Sequence, residues 1–326
     1  EALRMGRAAM GNKHPEIAST LNKIGNLFYE RGNLDEALKM YQEGLEVEQA
    51  VLDKDHPNIV VTLTNIAQIL KHKEDLQAAL KMYHSALLIQ RRTLGSDHPN
   101  VAATLSSIGQ IQYTRGDLEM SLDVFQEVLR IRRDANGDDD LDVASTLNSI
   151  GLILFKQGVN DLAVQSFSES LRIRRKLLGP EHREVGILLY NLATLHMEAG
   201  DEKEAMDFYH ETLRVERAAL GHDHEDVVMT LQHIGQVHHQ RGDINSALEF
   251  FEDSLSIERK HQANGKDNAV KIARTLNQIG NLHLQKGKVP EAMRAFTESM
   301  RLFRQSGQGD EMTVTGFDFY ALSLKH

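Results

Sequence analysis

The apolar positions follow two helical patterns that alternate along nearly the whole chain. In the first, Leu21, Ile24 and Phe28 recur at i, i+3 and i+7, which puts them on one face of a helix. In the second, Leu38, Tyr41 and Leu45 do the same. Between them stands Gly32, matched by Gly116, Gly158, Gly200, Gly242 and Gly287. A glycine there takes the left-handed conformation that ends a helix. Asn33, Asp75, Asp117, Asp201 and Asp243 follow as expected N-caps of the second helix, with Glu36 and Glu204 completing capping boxes.

The pair of patterns is one repeating unit. The stretch Thr20-Leu-Asn-Lys-Ile-Gly25 returns as Thr62 to Ala67, Thr104 to Gly109, Thr146 to Gly151, Leu188 to Ala193, Thr230 to Gly235 and Thr275 to Gly280. The small anchor residues are spaced by 42 residues five times and then by 45. A fixed period of this length predicts an all-α solenoid of stacked helix pairs. Glycine in mid-helix costs about 1 kcal/mol against alanine. Its recurrence implies that another group must come close to the backbone. The second helix supplies a small residue at Ala37, Ala79, Ser121, Ala163, Ala205, Ala247 and Ala292. Four residues later comes an aromatic one: Tyr41, Tyr83, Phe125, Phe167, Tyr209, Phe251 and Phe296.

Leu21, Ile24, Gly25, Phe28, Ala37, Tyr41 and Gly44 fall on the consensus offsets of the tetratricopeptide repeat, which this chain resembles over nearly its whole length. The units are longer than the usual repeat. The period, Thr-Leu-Asn and the loop Leu94-Gly-Ser-Asp-His-Pro99 together resemble the kinesin light chain branch of the family. The resemblance implies a right-handed superhelix whose first helices line an inner surface. It places on that surface the residues three before, one after and four after each anchor. Three before stand Asn22, Thr64, Ser106, Asn148, Tyr190, Gln232 and Asn277. One after stand Asn26, Gln68, Gln110, Leu152, Thr194, Gln236 and Asn281, and four after Tyr29, Lys71, Tyr113, Phe155, Met197, His239 and Leu284. A carboxamide pairs with both the N–H and the C=O of a peptide. The expected site is therefore a peptide groove formed by Asn22, Asn26, Tyr29, Gln68, Gln110, Tyr113, Asn148, Phe155, Tyr190, Gln236, Asn277 and Asn281.

Two family binding modes do not match. The carboxylate clamp needs Lys or Arg where these rows carry Asn and Gln. The basic groove with which kinesin light chains take acidic cargo peptides is replaced by Lys71, Lys156 and Arg274 set against Glu30 and Glu198.

Three segments are expected: 1–13, the second helix and linker of a preceding repeat cut short; 14–303, seven units; and 304–326, a loop and capping helix. In the linkers, His14-Pro15, His56-Pro57 and His98-Pro99 put proline in the first helical turn. The remaining composition narrows function. A net charge of −10 disfavours nucleic acid as a partner. No apolar run is long enough to span a bilayer, and no signal peptide is visible. Cysteine is absent, which fits a reducing, cytoplasmic setting. Among the sixteen histidines, those crowded in 222–239 lack the geometry of a zinc site. Asp134 to Asp142 lacks the closing glutamate of a calcium loop. Arg91-Arg92, Arg132-Arg133 and Arg174-Arg175 read as cations favoured at helix C-termini. No catalytic triad, phosphate loop or HExxH pattern is present. The expectation is a non-enzymatic scaffold without cofactor that binds a protein or peptide. The alternatives are a self-associating module, with homo-oligomers stacked through end faces, and the regulatory part of a larger multidomain protein.

Overall fold

A computed structural model describes residues 1–265 and 267–306. Fifteen α-helices and no strands occupy these described residues. A leading helix, α1 (Ala2–Met10), precedes the pairs. The first helices of the pairs are α2 (Pro15–Glu30), α4 (Pro57–His72), α6 (Pro99–Arg115), α8 (Leu141–Lys156), α10 (Arg183–Ala199), α12 (Glu225–Gln240) and α14 (Ala269–Gln285). The second helices are α3 (Leu34–Val51), α5 (Leu76–Leu94), α7 (Leu118–Asn136), α9 (Asn160–Leu178), α11 (Glu202–Leu220), α13 (Ile244–Ala263) and α15 (Val289–Gln305). The expected capping helix over 311–326 lies outside the described residues.

The chain forms two compact units, Glu1–Ser170 and Leu171–His326. Within each, helices adjacent in sequence pack on one another, as in a solenoid. The core is accordingly a string of small clusters. In the first unit one gathers Ile17, Leu21 and Val47, a second Ala37, Tyr41, Ile66 and Ile69, and a third Tyr83, Leu105, Ile108 and Ile131. In the second unit, Tyr209, Leu231, Ile234 and Ile257 form one, and Phe251, Leu276, Ile279 and Phe303 another.

Five of the helix pairs are closed by an aromatic ring laid on the backbone of a glycine anchor. A methyl group added to Gly151 would lie 2.6 Å from Phe167 Cε1, and one on Gly280 2.6 Å from Phe296 Cε1. The corresponding approaches are 2.8 Å for Gly109 to Phe125 and 2.9 Å for Gly25 to Tyr41. At Gly235 the distance to Phe251 relaxes to 3.1 Å. The small residue opposite is equally confined: Ala37, Ala79, Ser121, Ala163, Ala205, Ala247 and Ala292 are all buried. Ser121 Oγ also donates to the Gly109 carbonyl at 2.8 Å.

The helix ends divide between expectation and correction. Gly32, Gly116, Gly158, Gly200, Gly242 and Gly287 all have φ between 71° and 85°. Glu74 holds the equivalent place with φ 62°, the one non-glycine residue at positive φ among the described residues. The acidic caps are sparser than expected. Asp75 accepts from the Ala78 amide and Asp243 from the Ser246 amide. Asn33, Asp117 and Asp201 make no side-chain cap bond, so the boxes expected at Glu36 and Glu204 lack their N-cap half. The first helices are capped instead by linker histidines. Nδ1 of His14, His56, His98, His182 and His224 accepts the amide two residues on at 3.1–3.2 Å. That nitrogen must therefore carry no proton. Asp140, at the equivalent place, does the same through Oδ1 at 2.8 Å.

Gly151→Ala sets two effects against each other. Helix propensity alone favours alanine by about 1 kcal/mol, whereas overpacking against Phe167 costs about 1–3 kcal/mol. The contact is backbone against a fully buried ring, so Gly151→Ala should lower the thermal midpoint. A raised midpoint in the melting curve would show that propensity wins and that the ring does not set the spacing.

Candidate functional site

Stacked pairs meet at a polar joint near the C-terminal ends of α3, α7, α9, α11 and α13. In the first unit, Asn22 Nδ2 donates to Glu48 Oε1 at 2.9 Å and to Thr62 Oγ1 of the next first helix at 2.7 Å. In the second unit, Gln232 Nε2 meets Glu258 Oε1 at 3.2 Å and Thr275 Oγ1 at 3.0 Å, and Ser254 Oγ at 3.1 Å. Between α11 and α12 the carboxyl is Glu216, to which Thr230 Oγ1 donates at 2.8 Å. Arginine takes the same place elsewhere. Arg132 donates to Thr146 Oγ1 at 2.7 Å and to the Asp142 carbonyl at 3.0 Å, while Arg174 Nε donates to Glu184 at 2.7 Å.

The neighbouring arginines tie second helix to second helix. Arg91 reaches Glu127 at 2.8 Å and Arg133 reaches Glu169 at 2.7 Å in the first unit. Arg175 reaches Glu211 at 2.8 Å and Arg259 reaches Glu298 at 2.9 Å in the second. The reading of these arginines as charges favouring helix ends missed both partnerships, because each partner lies a full repeat or a helix away.

Burial changes the acid chemistry of the joints. Glu216 is 7% exposed. Desolvation pushes its carboxyl up from 4.5 to about 7, against the pull of the Thr230 hydrogen bond and with help from the charge of Asp226. Glu48 and Glu258 are raised for the same first reason, opposed by hydrogen bonds from Thr62 and Asn22 and from Thr275 and Gln232. Beside Glu216, burial and then Tyr209 push the Tyr190 hydroxyl up to about 12.

The residues expected to bind divide between the solvent side of the first helices and the joint. In the first unit Gln68 and Gln110 are exposed. Asn26 is exposed too, with its Oδ1 accepting from the Tyr41 hydroxyl. Tyr29 and Tyr113 are half-buried and engaged with the next first helix: Tyr29 Oη lies 3.1 Å from His72 Nε2, and Lys156 Nζ sits 4.8 Å from the centre of the Tyr113 ring. Asn148 and Phe155 are half-buried. Asn22 faces inward, into the joint. In the second unit Tyr190 packs edge-on against His233, ring centres 5.3 Å apart, and against Tyr209 at 5.9 Å. Gln236, Asn277 and Asn281 are half-buried.

One of the expected residues lies in a defined cleft. Between α12 and α14 a cavity of about 250 Å³ is lined by Gln232, His233 and Gln236 from α12. From α14 come Arg274, Thr275 and Gln278, and Phe251 contributes its ring. Offsets two and six before the anchor supply His233, Gln278 and Arg274, and the expected rows omitted both. A signal was available. Six before the anchor, Val61, Ile187 and Met229 are apolar yet 56%, 44% and 46% exposed. They are not on the face that Leu63 and its equivalents bury.

Residues 1–50, 16–87, 58–134, 142–215 and 184–260 each match the sequence profile of the tetratricopeptide repeat. The chain belongs to the tetratricopeptide repeat family. No curated protein matches it. Among solved structures it is similar to BtubC (BKLC) from P. vanneervenii, with 17% identity, 71% of this chain and 92% of the other covered, and a TM-score of 0.61. It is also similar to the nearly identical TPR-like repeats of a putative kinesin light chain from Podosopora anserina, with 17% identity, coverage of 63% and 97%, and a TM-score of 0.56. The C-terminal part of a TPR repeat-containing protein from Cytophaga hutchinsonii is similar at 14% identity, with coverage of 91% and 98% and a TM-score of 0.58. These likenesses show the fold, including that of kinesin light chain-like repeats. Among the described residues no helix is long and apolar enough to cross a membrane, and no cluster of His, Asp and Glu is arranged to hold a metal.

The Glu216 carboxyl makes stability depend on pH. A folded-state value above the unfolded one means that the native protein binds the proton more tightly, so stability falls as pH rises from 4.5 to about 7. The size is at most about 3 kcal/mol. Glu216→Gln keeps the acceptor for Thr230 without the charge. It should raise the thermal midpoint at pH 8 and flatten the midpoint's dependence between pH 4.5 and 7. An unchanged profile would mean that Glu216 is ionised at no cost in the fold.

Proposed function

We propose that the chain is a non-catalytic scaffold that holds a peptide segment of a partner protein against the solvent-facing side of its first helices. The observation that carries this reading is the division of labour in each first helix. One face is consumed by core, wedge and joint. The other repeats uncharged hydrogen-bonding groups, such as Gln68, Gln110, Gln236 and Gln278, beside the exposed apolar side chains Val61, Ile187 and Met229. Amides offering donor and acceptor together, interspersed with small apolar spots, suit main chain and side chains of a peptide. Tetratricopeptide repeats generally serve as protein-interaction scaffolds, which agrees with this reading.

A cargo adaptor of the kinesin light chain kind is the finer form of the same proposal. The charge argues for different cargo, because α4 and α6 present Val61, Asn65, Gln68, Ala103, Ser107 and Gln110, uncharged, beside Lys71. The ligand favoured here is an uncharged segment. The lack of cysteine supports a cytoplasmic setting.

Peptides selected from a displayed random library against the chain provide the test. Combining Gln68→Ala, Gln110→Ala, Gln236→Ala and Gln278→Ala removes only partly or fully exposed side chains, so the melting curve should stay close to that of the parent. Affinity measured by calorimetry should fall by about tenfold or more, since each lost hydrogen bond is worth about 0.5–1.5 kcal/mol. Unchanged affinity would remove this face as the binding surface.

A further inference from the structure

We propose that the cleft between α12 and α14 receives the side-chain carboxamide of a glutamine or asparagine in the partner peptide. The inference rests on the peptide-binding reading above and adds what the cleft selects.

Its basis is the fixed orientation of Gln232. The single proton of the Thr275 hydroxyl goes to an acceptor, either the Lys271 carbonyl at 3.2 Å or the Glu258 carboxyl. Its oxygen therefore faces Gln232 as an acceptor, 3.0 Å from Nε2. Glu258 Oε1 and Ser254 Oγ surround the same nitrogen at 3.2 and 3.1 Å. The Gln232 amide nitrogen is thus turned into the joint, and Oε1 is the atom left to the cleft. An isolated acceptor held in place calls for an N–H or O–H from the ligand.

The other walls exclude simpler ligands. His233 Nδ1 lies 2.8 Å from the Met229 carbonyl, which can only accept, so Nδ1 carries the ring proton. Nε2 lies 3.2 Å from the Tyr190 hydroxyl. Both ring nitrogens are thus engaged within the protein and are not presented to the cleft. Arg274, at the rim, has an interaction of its own within the protein. The Gln236 and Gln278 amides remain, each with a donor and an acceptor, and Phe251 supplies a flat apolar wall. A primary carboxamide meets all of these at once: its NH₂ donates to Gln232 Oε1, and its oxygen accepts from an amide of Gln236 or Gln278. A carboxylate would set an oxygen against Gln232 Oε1. An aliphatic side chain would leave the amides unpaired, a loss that sites built for hydrogen bonding discriminate strongly.

The experiment uses the full chain and a phage-displayed library of random peptides about twelve residues long. Selected peptides should share a glutamine or asparagine at one position. In synthetic versions, replacing that residue by glutamate or by methionine should each weaken binding by about tenfold or more. Gln236→Ala with Gln278→Ala should weaken the carboxamide peptide by a similar factor and leave the methionine version unchanged. Equal or tighter binding of the glutamate version would overturn the proposal in favour of a carboxylate drawn by Arg274. Selected peptides that lack a carboxamide preference, or that lose affinity only when Gln68 and Gln110 are also replaced, would overturn it while the peptide-binding reading stands. A library that yields no binder would overturn both.

Discussion

An aromatic ring pressed against a backbone with no side chain sets the geometry of five of the helix pairs. Tyr41 on Gly25, Phe125 on Gly109, Phe167 on Gly151, Phe251 on Gly235 and Phe296 on Gly280 are copies of one contact. The contact is short enough that a methyl group would have to displace the ring in most copies. It fixes how deep the second helix sits and how each helix is rotated about its axis. That rotation decides which side chains are buried with Leu21 and its equivalents and which, such as Gln68 and Gln110, are left in water. Two pairs, at Ala67 with Tyr83 and at Ala193 with Tyr209, carry the methyl group, and all four residues are buried.

The pairs are joined by a different kind of contact. Asn22, Glu48 and Thr62 in one unit and Gln232, Glu258 and Thr275 in the other are the same three-part network, far apart in the chain. Burying a carboxyl costs stability, and the raised position of Glu216 near 7 is the measure of that cost. Hydrogen bonds of this kind work at only one setting of neighbouring helices, so the network specifies register where apolar packing alone would allow sliding. The exposed Arg–Glu rungs along the second helices, Arg91–Glu127 and Arg133–Glu169 among them, are individually worth little and reinforce the same setting.

Much of this was legible in the sequence. The 42-residue period and the spacing of Leu21, Ile24 and Phe28 indicated helix pairs, and Gly32 with its equivalents marked where first helices end. The ring opposite Gly25 was foreseeable because a mid-helix glycine at a fixed period needs a close neighbour. The joints were harder to see. Thr62 reads as part of a recurring helix start until its partners are known, and those partners lie 14 residues back at Glu48 and 40 back at Asn22. Helical offset reports an angle around the axis and not which groups lie across from it. Asn22 and Gln232 therefore grouped with Gln68 and Gln110 as carboxamides, although the first two face a buried carboxyl and the last two face water. At the linkers the sequence drew attention to the prolines, and the role of histidine as an N-cap emerged only from the amide it meets.

If wedge and joint together are what the fold consists of, a whole repeat is removable without loss of structure. Deleting residues 58–99 takes out 42 residues and brings Pro57 against Asn100, so that Glu48 faces Thr104 and α3 packs on α6 with the original register. Circular dichroism should then show the parent's helicity per residue and one cooperative melting transition, and a deletion two residues shorter should lose both. Collapse of the 42-residue deletion, or equal behaviour of the two deletions, would contradict the account.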